Sequence, residues 1–137
     1  LRSMRKLNKI IVHCSASDIA GHDNIDTIRK WHVEERGWND VGYHFFIRKD
    51  GTIEKGRDVR IAGAHCVGHN HDSIGICLSG KHEFTLDQYI SLGALLQVVQ
   101  FEYGDLGIYP HNHFNKDKTC PNFDSKLFDK ATERGKI

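Results

Sequence analysis

Early in the chain, apolar residues come in short, dense runs; later they spread out to a helical spacing. Ile10-Ile11-Val12, with His13 at its end, is a β-branched run without polar alternation, so residues 9–13 are expected to form a strand buried on both faces. Over residues 24–36, Ile25, Ile28 and Trp31 recur at helical spacing. Asn24 suits an N-cap and Gly37 a stop, which together predict a helix. Residues 43–48 and 52–55 flank Asp50-Gly51, a pair whose tolerance of positive φ predicts a β-hairpin. A loop rich in glycine and histidine over residues 62–72 leads into a further strand at 73–79. Thr85 and Gln88 have capping-box spacing and open a long helix to about Tyr103, in which Leu92, Leu95, Leu96, Val99 and Tyr103 share a face. A polar tail comes next, then a short amphipathic helix near residues 125–134. The order β, α, β-hairpin, β, α, α predicts an α/β fold with a mixed central β-sheet flanked by helices.

Length and charge narrow the picture. A chain of 137 residues forms one domain and can bury roughly 68–70% of its unfolded surface without covalent staples. The formal charge is +1 with acids and bases interspersed, so no footprint for nucleic acid or an anionic membrane is expected. The apolar runs are too short to span a bilayer. Leu1-Arg2-Ser3 ahead of Met4 resembles a vector remnant, so residues 1–5 are read as remnant and extension and 6–137 as the single domain. The residues after Met4 are polar and then strand-like, unlike a signal peptide. The expectation is synthesis in the cytoplasm with no export address.

The four cysteines, Cys14, Cys66, Cys77 and Cys120, are too scattered for a secreted disulfide framework. Cys77 lies in an apolar run and reads as a core thiol, and Cys14 and Cys66 read as free, half-buried thiols. Cys120 differs, because Lys118, Pro121 and two histidines, His111 and His113, crowd it in sequence. A cysteine, a nearby histidine and a distant one at a strand end, His13, make the donor set of a tetrahedral zinc ion that keeps a position open for water. Spacing alone leaves His111 and His113 both open as the middle ligand. The letters His111-Asn112-His113 also invite a nuclease reading, but no basic stripe accompanies them.

Five stretches then carry a family resemblance: Ile11-Val12-His13-Cys14-Ser15-Ala16; Gly37-Trp38 with Asp40-Val41-Gly42-Tyr43-His44-Phe45; Asp50-Gly51-Thr52-Ile53-Glu54-Lys55-Gly56-Arg57; His69-Asn70-His71-Asp72-Ser73-Ile74-Gly75-Ile76; and Lys118-Thr119-Cys120-Pro121-Asn122-Phe123-Asp124. In these the chain resembles the type 2 N-acetylmuramoyl-L-alanine amidases, in particular the small phage "lysozymes" that are amidases. Peptidoglycan recognition proteins share that fold. The likeness runs over residues 6–130 with the motifs in the same order.

The resemblance implies one Zn2+ ion held by His13, a tail histidine and Cys120. It implies catalytic roles for Tyr43 and Lys118, and substrate contacts for His65 and Asn70. In this chain His111 stands nine residues before Cys120 and His113 seven, and the family spacing falls between them. His111 fits if His113 takes the place of the family's acid and one residue is inserted before Lys118. The implied activity is zinc-dependent hydrolysis of the amide between N-acetylmuramic acid and L-alanine in peptidoglycan. Lys118 would steady the oxyanion, and Tyr43 would orient the water and pass a proton to the leaving amine. The expected partner is peptidoglycan, met by a monomer acting on the cell wall. The alternative is a non-catalytic peptidoglycan-binding domain on the same fold, a reading that the joint presence of Cys120, Tyr43 and Lys118 opposes.

Overall fold

The structure, a computed structural model, describes residues 4–123. The helix expected near residues 125–134, and Leu1-Arg2-Ser3, expected to be a remnant, lie outside the described residues. Five strands form one sheet: β1 (Lys9–Cys14), β2 (Phe45–Ile47), β3 (Ile53–Lys55), β4 (Ser73–Leu78) and β5 (Gly107–Pro110), in the order β3-β2-β4-β1-β5. β1 pairs in parallel with both β4 and β5, β2 in parallel with β4, and β2 with β3 as an antiparallel hairpin. The sheet is therefore mixed, as expected. β1 sits inside it, which explains its unbroken apolar run: Ile10, Ile11 and Val12 are fully buried.

Alternation along β1 sends side chains to two different layers. Ile10 and Val12 join Ile74, Ile76 and Leu78 of β4 under the long helix α2 (Leu86–Tyr103), which contributes Leu92, Leu95, Leu96 and Val99. Each such side chain, when fully buried, is worth about 1.5–3 kcal/mol. His13 has the opposite parity. It lies level with Cys77, which in turn faces Phe46, on the side covered by α1 (Ile25–Lys30) through Ile25 and Ile28. The β1 register thus carries His13 out of the α2 core and to the carboxyl end of the parallel strands, where ligand crevices form in open α/β sheets.

Capping fixes both helices as their sequences suggest. Asn24 Oδ1 accepts the Thr27 N–H at 2.8 Å. At α2 the Thr85 hydroxyl accepts the Gln88 N–H while Gln88 Oε1 accepts the Thr85 N–H, at 3.1 and 2.9 Å. Gln88 is fully buried, and its Nε2 donates to Ile47 and Ser79 carbonyls at the sheet, so a single side chain starts the helix and docks it.

The predicted helix over residues 24–36 divides. After Lys30 the backbone widens into a π turn over Trp31–Glu35 before Gly37, at φ +71°, ends it. β5 has no counterpart among the expected elements: four residues bounded by glycine and proline are too few to show periodicity, and proline suits only an edge strand. Cys14 and Cys66 are buried, not half-buried, at 4% and 3% exposure. Near the start of the described chain, Arg5 is bonded into the fold. Its guanidinium donates to the carbonyls of Val59, Asn70 and Ser73, at 2.9, 3.2 and 2.8 Å.

Candidate metal centre

His13 leaves the end of β1 with 1% exposure. β5 runs beside β1 and delivers the chain, through Pro110, into a one-turn 3-10 helix, His111–His113. The tail then folds back in tight turns: Lys118 N–H donates to the Asn115 carbonyl and Asn112 N–H to the Cys120 carbonyl, at 3.1 and 3.0 Å. This return places Cys120 against the end of β1, where the Cys14 N–H donates to its Sγ at 2.8 Å. Among the described residues, His13, His111 and Cys120 form a group whose candidate ligand atoms all lie within 4.8 Å of one another.

His113 is not part of that group. It is exposed and stacks on Tyr109, ring centroids 5.0 Å apart, while the His111 ring sits 4.4 Å from that of His13. In a 3-10 helix with three residues per turn, positions two apart point to well-separated directions, so only one histidine of the pair can face the cluster.

His111 and Cys120 line a groove of about 520 Å³ whose walls also include Trp38, Tyr43, His65, Asn70, Phe114 and Lys118. Tyr43 sits with its ring centroid 5.1 Å from that of His13. Burial, and then the nearby thiols of Cys77, Cys120 and Cys14, push its hydroxyl well above the ordinary tyrosine range, so it remains a neutral phenol. Lys118 is exposed on the rim. Burial, and then the Lys118 charge, hold His111 below the ordinary histidine range. Burial also keeps His13 and His65 well below it, each helped by neighbouring imidazoles. All three rings are neutral, with a lone pair on one nitrogen. The Cys120 thiol is pushed up by a side-chain hydrogen bond with the Cys14 thiol and by burial, against the lowering effect of the Cys14 N–H, whereas the thiol–thiol bond draws Cys14 down.

His65 and Asn70 both line the groove, and both are also tied into the protein. Asn70 Oδ1 accepts the N–H groups of His65 and Cys66, each at 2.9 Å, which fixes the loop. His65 is 8% exposed, and its Nδ1 lies 2.8 Å from His13 Nε2.

His32 escapes a reading of the sequence. It sits in the π turn, accepts the Gly42 N–H on Nδ1 at 2.8 Å, and lines the groove beside Trp38. Its only signal is that of a helical histidine one turn after Ile28.

A sheet with a groove at its carboxyl edge and a His/His/Cys cluster defines the class: an α/β protein with the makings of a metal site. The chain matches the family model described as N-acetylmuramoyl-L-alanine amidase over residues 3–123. The endolysin of Escherichia phage T7 is 44% identical over 125 residues, covering 85% of this chain and 82% of the relative. The N-acetylmuramoyl-L-alanine amidase LysC from Clostridium intestinale URNW superposes with a TM-score of 0.82 at 30% identity, covering 93% of this chain and 87% of that one. Drosophila PGRP-LB superposes with a TM-score of 0.76 at 28% identity, covering 95% and 82%. The chain belongs to the N-acetylmuramoyl-L-alanine amidase family, and it hydrolyses an amide bond of peptidoglycan. Among the described residues, no helix is long and apolar enough to cross a membrane.

Proposed function

We propose that the protein is a zinc-dependent endolysin that cuts between N-acetylmuramic acid and L-alanine. The observation carrying this reading is the convergence of His13, His111 and Cys120, with His111 and Cys120 lining the groove and His13 buried beside them. Two neutral imidazoles and a thiol suit zinc in number and softness, and three protein donors leave a fourth position for substrate or water. The Cys14 N–H aimed at Cys120 Sγ is the kind of donor a thiolate accepts. A coordinating thiol is deprotonated by its metal, which offsets the upward push of burial.

Zinc in this position supplies Lewis acidity and makes water a nucleophile at neutral pH. The chain's own groups do the rest. Lys118, a cation on the groove rim, is assigned to the negative charge that would develop on the lactyl carbonyl oxygen. Removing a fixed donor of this kind typically costs about 2.7–4 kcal/mol of barrier. Tyr43, held neutral, has a proton to give and none to take, which fits delivery to the leaving amine of L-alanine better than service as a base. His65 and Asn70 border the space the muramyl group would fill.

Endolysins act on the host wall, and the phage relative supports that setting for this chain. The deciding experiment digests purified peptidoglycan with and without a chelator. New L-alanine amino termini that vanish on chelation and return with zinc are expected. New reducing sugars would instead mark a glycosidase, and chelator-resistant activity would remove the metal from the reaction.

A further inference from the structure

The imidazole of His13 does not stand alone behind the cluster. Its Nε2 lies 2.8 Å from His65 Nδ1, the His65 Nε2 lies 3.2 Å from Ser73 Oγ, and Ser73 Oγ donates to the His69 carbonyl at 2.7 Å. The order of these contacts fixes every proton. A carbonyl can only accept, so the single hydroxyl proton of Ser73 goes to His69. Ser73 Oγ must then accept from His65 Nε2–H. That leaves His65 Nδ1 as a lone pair, which must accept from His13 Nε2–H. The remaining nitrogen of His13, Nδ1, carries no proton.

We propose that Ser73 and His65 are positioning residues forming a hydrogen-bond relay that sets the tautomer of His13, so that Nδ1 is the nitrogen offered to the metal. This rests on the zinc reading of the cluster. A ligating histidine ordinarily hands its other N–H to an acceptor that orients the ring. Here the acceptor is a second imidazole, itself oriented by a serine.

The surroundings are shaped to hold the relay. Ser73 and His13 are buried at 0% and 1% exposure, and His65 at 8%, so little water competes for these bonds. The His65 ring lies on two glycines. A Cβ on Gly75 would come 2.7 Å from its Cδ2 and Cγ, and one on Gly63 would come 2.7 Å from Cδ2. The backbone of His65 is pinned by Asn70 Oδ1. The motif stretch that runs from His69 to Ile76 thus supplies the His69 carbonyl, the Asn70 clamp, the Ser73 hydroxyl and the Gly75 gap.

Long-range 1H–15N correlation of the histidine rings in metal-free wild-type protein reads the tautomers without any variant. Protons on Nε2 of both His13 and His65 are expected; His13 protonated on Nδ1 overturns the relay. Zinc affinity, measured by competition with a chelating dye, should weaken roughly 10–100-fold in Ser73→Ala. Gly75→Ala, which displaces the His65 ring while keeping the hydroxyl, should weaken it in the same direction. Unchanged affinity in a folded Ser73→Ala protein overturns the positioning role. If wild-type protein takes up no zinc, the metal reading fails by itself, and the tautomer measurement still decides the relay.

Discussion

The two halves of the His/His/Cys cluster are held by different means. His13 belongs to a strand bonded on both sides, lies beneath a covering layer, and is braced through His65 to Ser73. His111 and Cys120 belong to a tail of short turns. Its ties to the sheet half include the β5 pairing ahead of His111 and the Cys14 N–H on Sγ. One half is part of the core and positions its ligand whatever else is present. The other is built from local turns and carries its two donors on them. A site assembled this way puts Lys118, the proposed oxyanion donor, on the tail side and Tyr43, the proposed proton donor, beside the sheet half.

The sharpest break in this comparison is Cys120→Ser. Wall-lysing activity should fall below about 1% of wild type, because even loss of an outer hydrogen-bond partner of a ligand costs 10–100-fold. Turbidity clearing of purified walls measures it, and near-normal clearing would show that Cys120 is not a required ligand. Lys118→Ala should lower kcat roughly 100- to 1,000-fold, in the range of a lost oxyanion donor, with zinc content unchanged. A fall in zinc content instead would mean that the residue holds the tail and not the charge.

Acid should act on the sheet half. Burial holds His44 and His32 down at about 4, against about 6.5 for the unfolded side chain. Between those values the unfolded chain binds more protons. Stability is therefore full above about pH 6.5 and is lost progressively as pH falls toward 4. The urea midpoint at pH 4.5 should lie clearly below that at pH 7; equal midpoints would mean these rings are not buried neutral. The smallest effect is expected at His113→Ala, within about 2-fold in activity, since His113 faces Tyr109 and not the cluster.

The same contrast explains what can be read from sequence. The α2 helix is fully legible because eighteen residues give its leucine stripe room to repeat and Thr85 with Gln88 announces its start. β1 and the hairpin are legible for similar reasons. Tail geometry is not, because short turns leave no periodic trace. Residue counting can place a histidine near Cys120, but only the 3-10 turn after β5 separates His111 from His113. The contact between His65 and His13 is equally hidden: it joins residues 52 apart through a parallel sheet whose register no local pattern announces. The family motifs bring His65 to notice as a substrate contact; its bond to a candidate ligand is a matter of three-dimensional packing.

Arg5 has a practical consequence for anyone producing this protein. Its guanidinium clasps the Val59 carbonyl and both ends of the short turn that carries Asn70 and Ser73. An affinity handle cleaved downstream of Arg5, or a fusion joint placed across it, would remove the clasp and loosen the turn from which the relay starts. Handles belong upstream of Met4, with Arg5 left in place.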